Sequence, residues 1–130
     1  MSAPKTVSPA EAVALMRKGA VLIDIREAHE HAAENIPGAR HHALSQIDAR
    51  HPLYEGDTVL IYHCKSGART NMNAKRLAAA SGACQVYLLG GGIAAWKRAG
   101  LPTSDTGSNK PVRAGRAQGG LLNRLAGMFR

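Results

Sequence analysis

A chain of 130 residues, 45% of them hydrophobic, has room for one domain with a real core. No apolar run approaches the ~18 residues of a membrane span, and no basic start leads into an early apolar stretch, so neither a transmembrane segment nor a signal peptide is expected. The net charge of +8 raises the question of nucleic acid, but five basic residues (Lys110, Arg113, Arg116, Arg124, Arg130) fall after Asp105 and base-stacking aromatics are scarce, which argues against that partner.

Ser8-Pro9-Ala10-Glu11 reads as a helix start, with Ser8 as cap, Pro9 at the first position and Glu11 closing a capping box. The helix should run to about Lys18, where Gly19 stops it. Val21 to Ile25 is a short β-branched run that predicts a buried strand. A second helix is expected over Ala28–Ala33, then a turn with a short extended piece at Ile36-Pro37-Gly38-Ala39, and a helical turn or two between Ala43 and Ala49. Thr58–His63 is the strongest strand signal, and it ends directly at Cys64. After a loop, the Ala-rich stretch Thr70–Ser81 predicts one helix closed by Gly82. Gln85–Leu89 predicts a strand, Gly90-Gly91-Gly92 a turn, and Ile93–Ala99 a last helix stopped by Gly100. Strands alternating with helices predict an α/β domain with a mostly parallel sheet. The composition shifts at about residue 105, so residues 1–104 are expected to form the domain and 105–130 a flexible basic tail. Leu121, Leu122, Leu125, Met128 and Phe129 fit a short amphipathic helix in that tail, which would offer weak contact to an acidic partner or a membrane surface. A solubilising tail, or a helix packed on its own domain, is the simpler expectation.

The chemistry concentrates in His63-Cys64-Lys65-Ser66-Gly67-Ala68-Arg69-Thr70. A buried strand delivers Cys64 to the carboxyl edge of a parallel sheet, where open α/β sheets bind ligands. The loop then enters a helix, so unpaired N–H groups and the helix dipole should favour negative charge and lower the thiol pKa. Gly67 lets the backbone curl, Ser66 and Thr70 add hydroxyls, and Lys65 and Arg69 add positive charge. The same cradle would hold Cys–S–S⁻. Cys64 is therefore the expected nucleophile: it would take sulfur from a small anionic donor, and an acceptor would then take it away. Cys84, after Gly82-Ala83, lacks basic neighbours and reads as structural. Two cysteines are too few for a disulfide framework and suggest a reducing, cytoplasmic compartment.

Four motifs in order resemble the rhodanese family: the strand Val21–Ile25 ending in Asp24-Ile25-Arg26; Glu27 to Ile36-Pro37-Gly38-Ala39; Tyr62-His63-Cys64 with its loop to Arg69; and Val86–Gly92 followed by Trp96 and Gly100-Leu101-Pro102. The resemblance spans about residues 5–103. It implies five strands flanked by helices on both faces, a persulfide on Cys64, and amides of Lys65, Ser66, Gly67, Ala68, Arg69 and Thr70 around the sulfur. It also implies sulfur transfer from a donor such as thiosulfate to cyanide, a thiol or a protein acceptor, without cofactor or metal. Asp24 and Arg26 would lie near the loop, with Asp24 orienting the loop or Arg69, or else closing a strand-end salt bridge. Asn35 and Glu34 replace the family's His and Gly before Ile-Pro-Gly, in a turn read as remote from the chemistry.

Two alternatives stand beside this reading. A cysteine phosphatase or arsenate reductase also uses a Cys-to-Arg loop, but with five intervening residues instead of the four here, Lys65–Ala68. A non-enzymatic sulfur relay or docking module would use the tail. The histidines at 29, 31, 41, 42 and 51 lack metal-ligand spacing and read as surface residues.

Overall fold

The computed structural model describes residues 3–48, 50, 52, 54 and 56–105. The five strands among the described residues, β1 (Lys5–Val7), β2 (Val21–Asp24), β3 (Arg40–His41), β4 (Val59–His63) and β5 (Gln85–Leu89), run parallel in the order β1-β5-β4-β2-β3. The expected α/β architecture with a parallel sheet is what the chain adopts. β1 and β3 sit on the edges with three and two residues, too short to leave a periodic signal.

Alternation along the strands splits the core into two layers. Leu22, Ile61 and Leu89 face α1 (Pro9–Arg17) and α5 (Gly92–Arg98), packing with Val13, Met16, Ile93 and the fully buried Trp96. Ile23, Leu60, Tyr62 and Leu88 face the opposite layer, with Leu77, Ala80 and both cysteines. The capping box at Ser8 forms as read: Ser8 Oγ accepts from the Glu11 amide at 3.1 Å, and Glu11 Oε1 accepts from the Ser8 amide at 2.8 Å. α2 (Ala28–Ala33) matches the expected range.

One helical expectation changes. The single helix over Thr70–Ser81 starts earlier and is divided into α3 (Ala68–Met72) and α4 (Ala74–Ala80). The break falls at Asn73, whose φ of −114° and ψ of 20° leave the helix and whose Nδ2 donates to the Arg69 carbonyl at 2.8 Å. Asparagine competes for backbone partners in this way, which is why it weakens helix interiors. Within the described part of the stretch, 43–48, the expected helical turn forms as one 3₁₀ turn, Leu44–Gln46. The tail and its amphipathic segment lie outside the described residues. No helix among the described residues is long and apolar enough to cross a membrane.

Candidate active site

β4 carries its apolar run to His63, and the next residue leaves the sheet at its carboxyl edge. Cys64 is 1% exposed there. Its carbonyl accepts from the Ile93 amide at 3.0 Å, and the Lys65 carbonyl accepts from the Ala94 amide at 3.0 Å, so the first turn of α5 pins the start of the loop. That approach depends on Gly92, with φ +59°: a Cβ there would stand 2.6 Å from the Lys65 carbonyl oxygen. The Gly90-Gly91-Gly92 run is thus part of the loop's support as well as a turn, a role its composition did not disclose. Gly92→Ala combines a left-handed backbone with overpacking against main chain, and is expected to cost about 2–4 kcal/mol. A urea titration of the variant against wild type checks this.

The loop closes around the sulfur. The Gly67 amide donates to Cys64 Sγ at 3.1 Å, made possible by Gly67 at φ +95°. The Thr70 hydroxyl stands 3.8 Å from Sγ and donates to the Gly67 carbonyl at 3.1 Å, so its proton can turn to an ionised sulfur without a new partner being brought in. Burial pushes the Cys64 thiol up. The amides of Thr70, Gly67 and Arg69 and the Thr70 hydroxyl outweigh it, so the thiol titrates below its ordinary range. Thr70 and Gly67 are buried, whereas Lys65, Ser66 and Ala68 are exposed at the mouth.

Arg69 does not meet Asp24. Its Nη1 and Nη2 donate to Oε1 and Oε2 of Glu30 at 2.8 and 2.9 Å, a bidentate fork that ties the loop to α2. The expectation that Asp24 orients Arg69 is therefore corrected, and the alternative, a strand-end salt bridge, is what the structure contains. Asp24 is fully buried at the end of β2. Arg26 reaches it through Nε and Nη2, at 3.0 and 2.8 Å, and through its own amide at 2.9 Å. His31 Nδ1 lies 2.8 Å from Asp24 Oδ2, and its ring stacks on His41 at 4.8 Å. His41 Nε2 lies 2.7 Å from the Arg26 carbonyl. These two histidines are thus braces of the ion pair, not the plain surface residues their spacing suggested. Arg26 Nη2 also donates to the Glu34 carbonyl at 2.6 Å, which connects the Glu34-Asn35 turn to the network. Asn35 in turn bridges Ser104 in both directions, at 2.9 and 2.7 Å.

His63 is fully buried beside this network, and burial holds its imidazole below the ordinary histidine range. The neutral ring donates from Nδ1 to the Cys64 carbonyl at 3.0 Å, and Nε2 faces Asp24 Oδ2 at 3.9 Å, too far for a hydrogen bond. His63 therefore braces the backbone of Cys64 and does not touch its sulfur. Cys84 stands at the other end of the sheet. Gln85 is in register with Val59, so Cys84 lies near the start of β4 while Cys64 follows its end. At the rise of an extended strand the six residues between their levels put the two roughly 20 Å apart, far beyond disulfide reach.

The fold and loop define a parallel α/β domain that presents one low-pKa thiol inside a ring of amide donors. The chain belongs to the rhodanese-like domain family, whose model matches residues 8–99. Over 100 residues it is 33% identical to thiosulfate sulfurtransferase GlpE of Pseudomonas entomophila, covering 75% of this chain and 88% of that one. It is 37% identical over 109 residues to the uncharacterized protein slr1261 of Synechocystis, covering 82% of this chain and 59% of that protein, so it spans less than two thirds of that relative's length. Among solved structures, a thiosulfate sulfurtransferase of Pseudomonas aeruginosa superposes with a TM-score of 0.64 at 26% identity, covering 98% of this chain and 27% of that one.

Proposed function

We propose that the protein is a sulfurtransferase that carries sulfane sulfur as a persulfide on Cys64, from a small anionic donor such as thiosulfate to a thiophilic acceptor. The observation that carries this reading is the Gly67 amide on Cys64 Sγ at 3.1 Å, within a loop whose other donors are the Arg69 and Thr70 amides and the Thr70 hydroxyl. In the first step the Cys64 thiolate attacks the outer sulfur of thiosulfate, the S–S bond breaks, and sulfite leaves with the electron pair. In the second an acceptor such as cyanide attacks the terminal persulfide sulfur and thiocyanate leaves, returning the thiolate. No proton needs to be moved by a side chain in either step, which suits a site where His63 is turned away from the sulfur. The persulfide's terminal sulfur would be held by the same amides, with Lys65 and Ser66 at the entrance. Residues 1–104 would constitute the catalytic domain, with 105–130 as an appended basic tail and the cytoplasm as the compartment.

Phosphate chemistry fits less well. The loop has four residues between Cys64 and Arg69, and the Arg69 fork is engaged by Glu30. Intact-mass analysis after thiosulfate treatment tests the reading. One sulfur atom should be gained, removed by cyanide with release of an equal amount of thiocyanate, and retained in Cys84→Ser. Absence of the gain, or its loss in Cys84→Ser, would overturn the assignment. Phosphate release from an aryl phosphate without thiocyanate formation would favour the phosphatase instead.

A further inference from the structure

The long-range fork between Glu30 and Arg69 joins two elements 39 positions apart in sequence, and it sits at the mouth of the Cys64 loop. The Arg69 amide is among the donors that stabilise the Cys64 thiolate, and the charge on Cys64 in turn favours the protonated guanidinium, so Arg69 is electrically part of the sulfur site. Its two terminal nitrogens, however, are spent on a carboxylate. Of the charges at the entrance, Lys65 and Arg69 are positive and Glu30 is negative. The clamp thus neutralises one of the two positive charges that the loop sequence offers.

We propose that Glu30 is a positioning residue that sets the donor selectivity of this site: by clamping Arg69 it withholds a free guanidinium from dianionic donors and shifts preference toward singly charged sulfur donors. The inference rests on the persulfide reading and names the charge class of its substrate. A singly charged donor, R–SO₂–S⁻ or R–S–S⁻, reacts by the same displacement. The Cys64 thiolate bonds to the outer sulfur, the S–S bond of the donor breaks, and the sulfinate or thiolate leaves with the electron pair. Such a donor loses less than a dianion when a neighbouring cation is neutralised, because Coulomb energy scales with its charge.

Steady-state kinetics with thiosulfate (a dianion) and methanethiosulfonate (a monoanion) test this in Glu30→Gln. The KM for thiosulfate should fall about threefold to tenfold at physiological salt, an amount set by one partly screened charge near the site. The KM for methanethiosulfonate should fall by about the square root of that factor, as expected when half the charge feels the same field. Glu30→Asp should restore wild-type selectivity, and adding Arg69→Gln to Glu30→Gln should abolish the gain. A purely structural role for Glu30 would change both donors equally, and that result overturns the proposal. A second readout needs no sulfur transfer: the sulfate concentration that half-protects Cys64 from alkylation by iodoacetamide should drop in Glu30→Gln by the thiosulfate factor. Enhanced protection in a protein without sulfurtransferase activity would sink the functional reading and leave the clamp standing. Unchanged protection would sink the clamp.

Discussion

Cys64→Ser should lower thiocyanate formation from thiosulfate by at least about a thousandfold, the scale on which removal of a covalent nucleophile is felt. The reason lies in the two atoms. The Cys64 thiol is drawn below its ordinary pKa by the amides of Thr70, Gly67 and Arg69, so its ionised fraction is raised over that of a free thiol. A serine hydroxyl in the same ring stays protonated, and the His63 ring next to it in sequence is committed to the Cys64 carbonyl rather than to the side chain. The fold should barely notice the exchange. The Gly67 amide that meets Sγ can meet Oγ, and the loss of a small buried sulfur should cost about 1 kcal/mol. Rate loss with a nearly unchanged urea midpoint is therefore the expected pair of results. Activity surviving in Cys64→Ser would move the chemistry elsewhere, and Cys84 is the thiol to examine next. It is buried at the opposite end of the sheet and cannot relay sulfur to or from Cys64 without a mobile carrier.

Much of this site was legible before any coordinates. A β-branched run that stops at a cysteine, followed by a glycine and a threonine, dictates a strand end, a curled loop and a helix. The strand end and the curled loop form where suggested, and the helix begins two residues earlier than expected, at Ala68. What the sequence does not display is who holds the loop from outside. Glu30 lies in a helix whose acidic residues look alike, and nothing in its spacing separates it from Glu27 or Glu34. Its pairing with Arg69 is a consequence of how α2 crosses the carboxyl edge of the sheet. Gly92 was visible as one of three glycines in a turn, but its contact with the Lys65 carbonyl is a meeting of segments 27 positions apart. His31 and His41 belong to the same category. Adjacent strands and a crossing helix stack their rings, whereas linear spacing made them unremarkable. The division of the Thr70–Ser81 helix at Asn73 was readable in principle, because a mid-helix asparagine that can bond the carbonyl four residues back is a known competitor of the helix ladder.

The buried ion pair beside the loop leads to the other large effect. Asp24→Asn removes the charge that Arg26 needs while keeping the shape. Arg26 is 4% exposed, so its guanidinium would be left with the Glu34 carbonyl and no counter-charge. Breaking a buried pair on one side costs about 3–5 kcal/mol, a large share of the stability of a domain this size. Asp24 contacts Arg26 and His31 and does not contact Arg69, so the sulfur chemistry of the molecules that remain folded should be near normal. Activity should then fall with the folded fraction and recover on cooling or with an osmolyte. The double variant Asp24→Asn/Arg26→Met, which removes both charges, should recover part of the loss. Acid provides an independent check. Burial pushes the Asp24 carboxyl up, but Arg26 and His31 with the nearby His63 outweigh it and bring it from 3.8 to about 2. A depressed carboxyl pKa stabilises the native state above the unfolded value, and that contribution is lost as pH falls from about 4 toward about 2. The size is about 2 kcal/mol. Wild-type stability, followed by urea midpoint, should therefore decline through this window, and Asp24→Asn should start lower and show a flatter acid slope. An equal slope in both proteins would mean that other carboxylates govern the acid transition and that the Asp24–Arg26 pair is not the anchor its geometry implies.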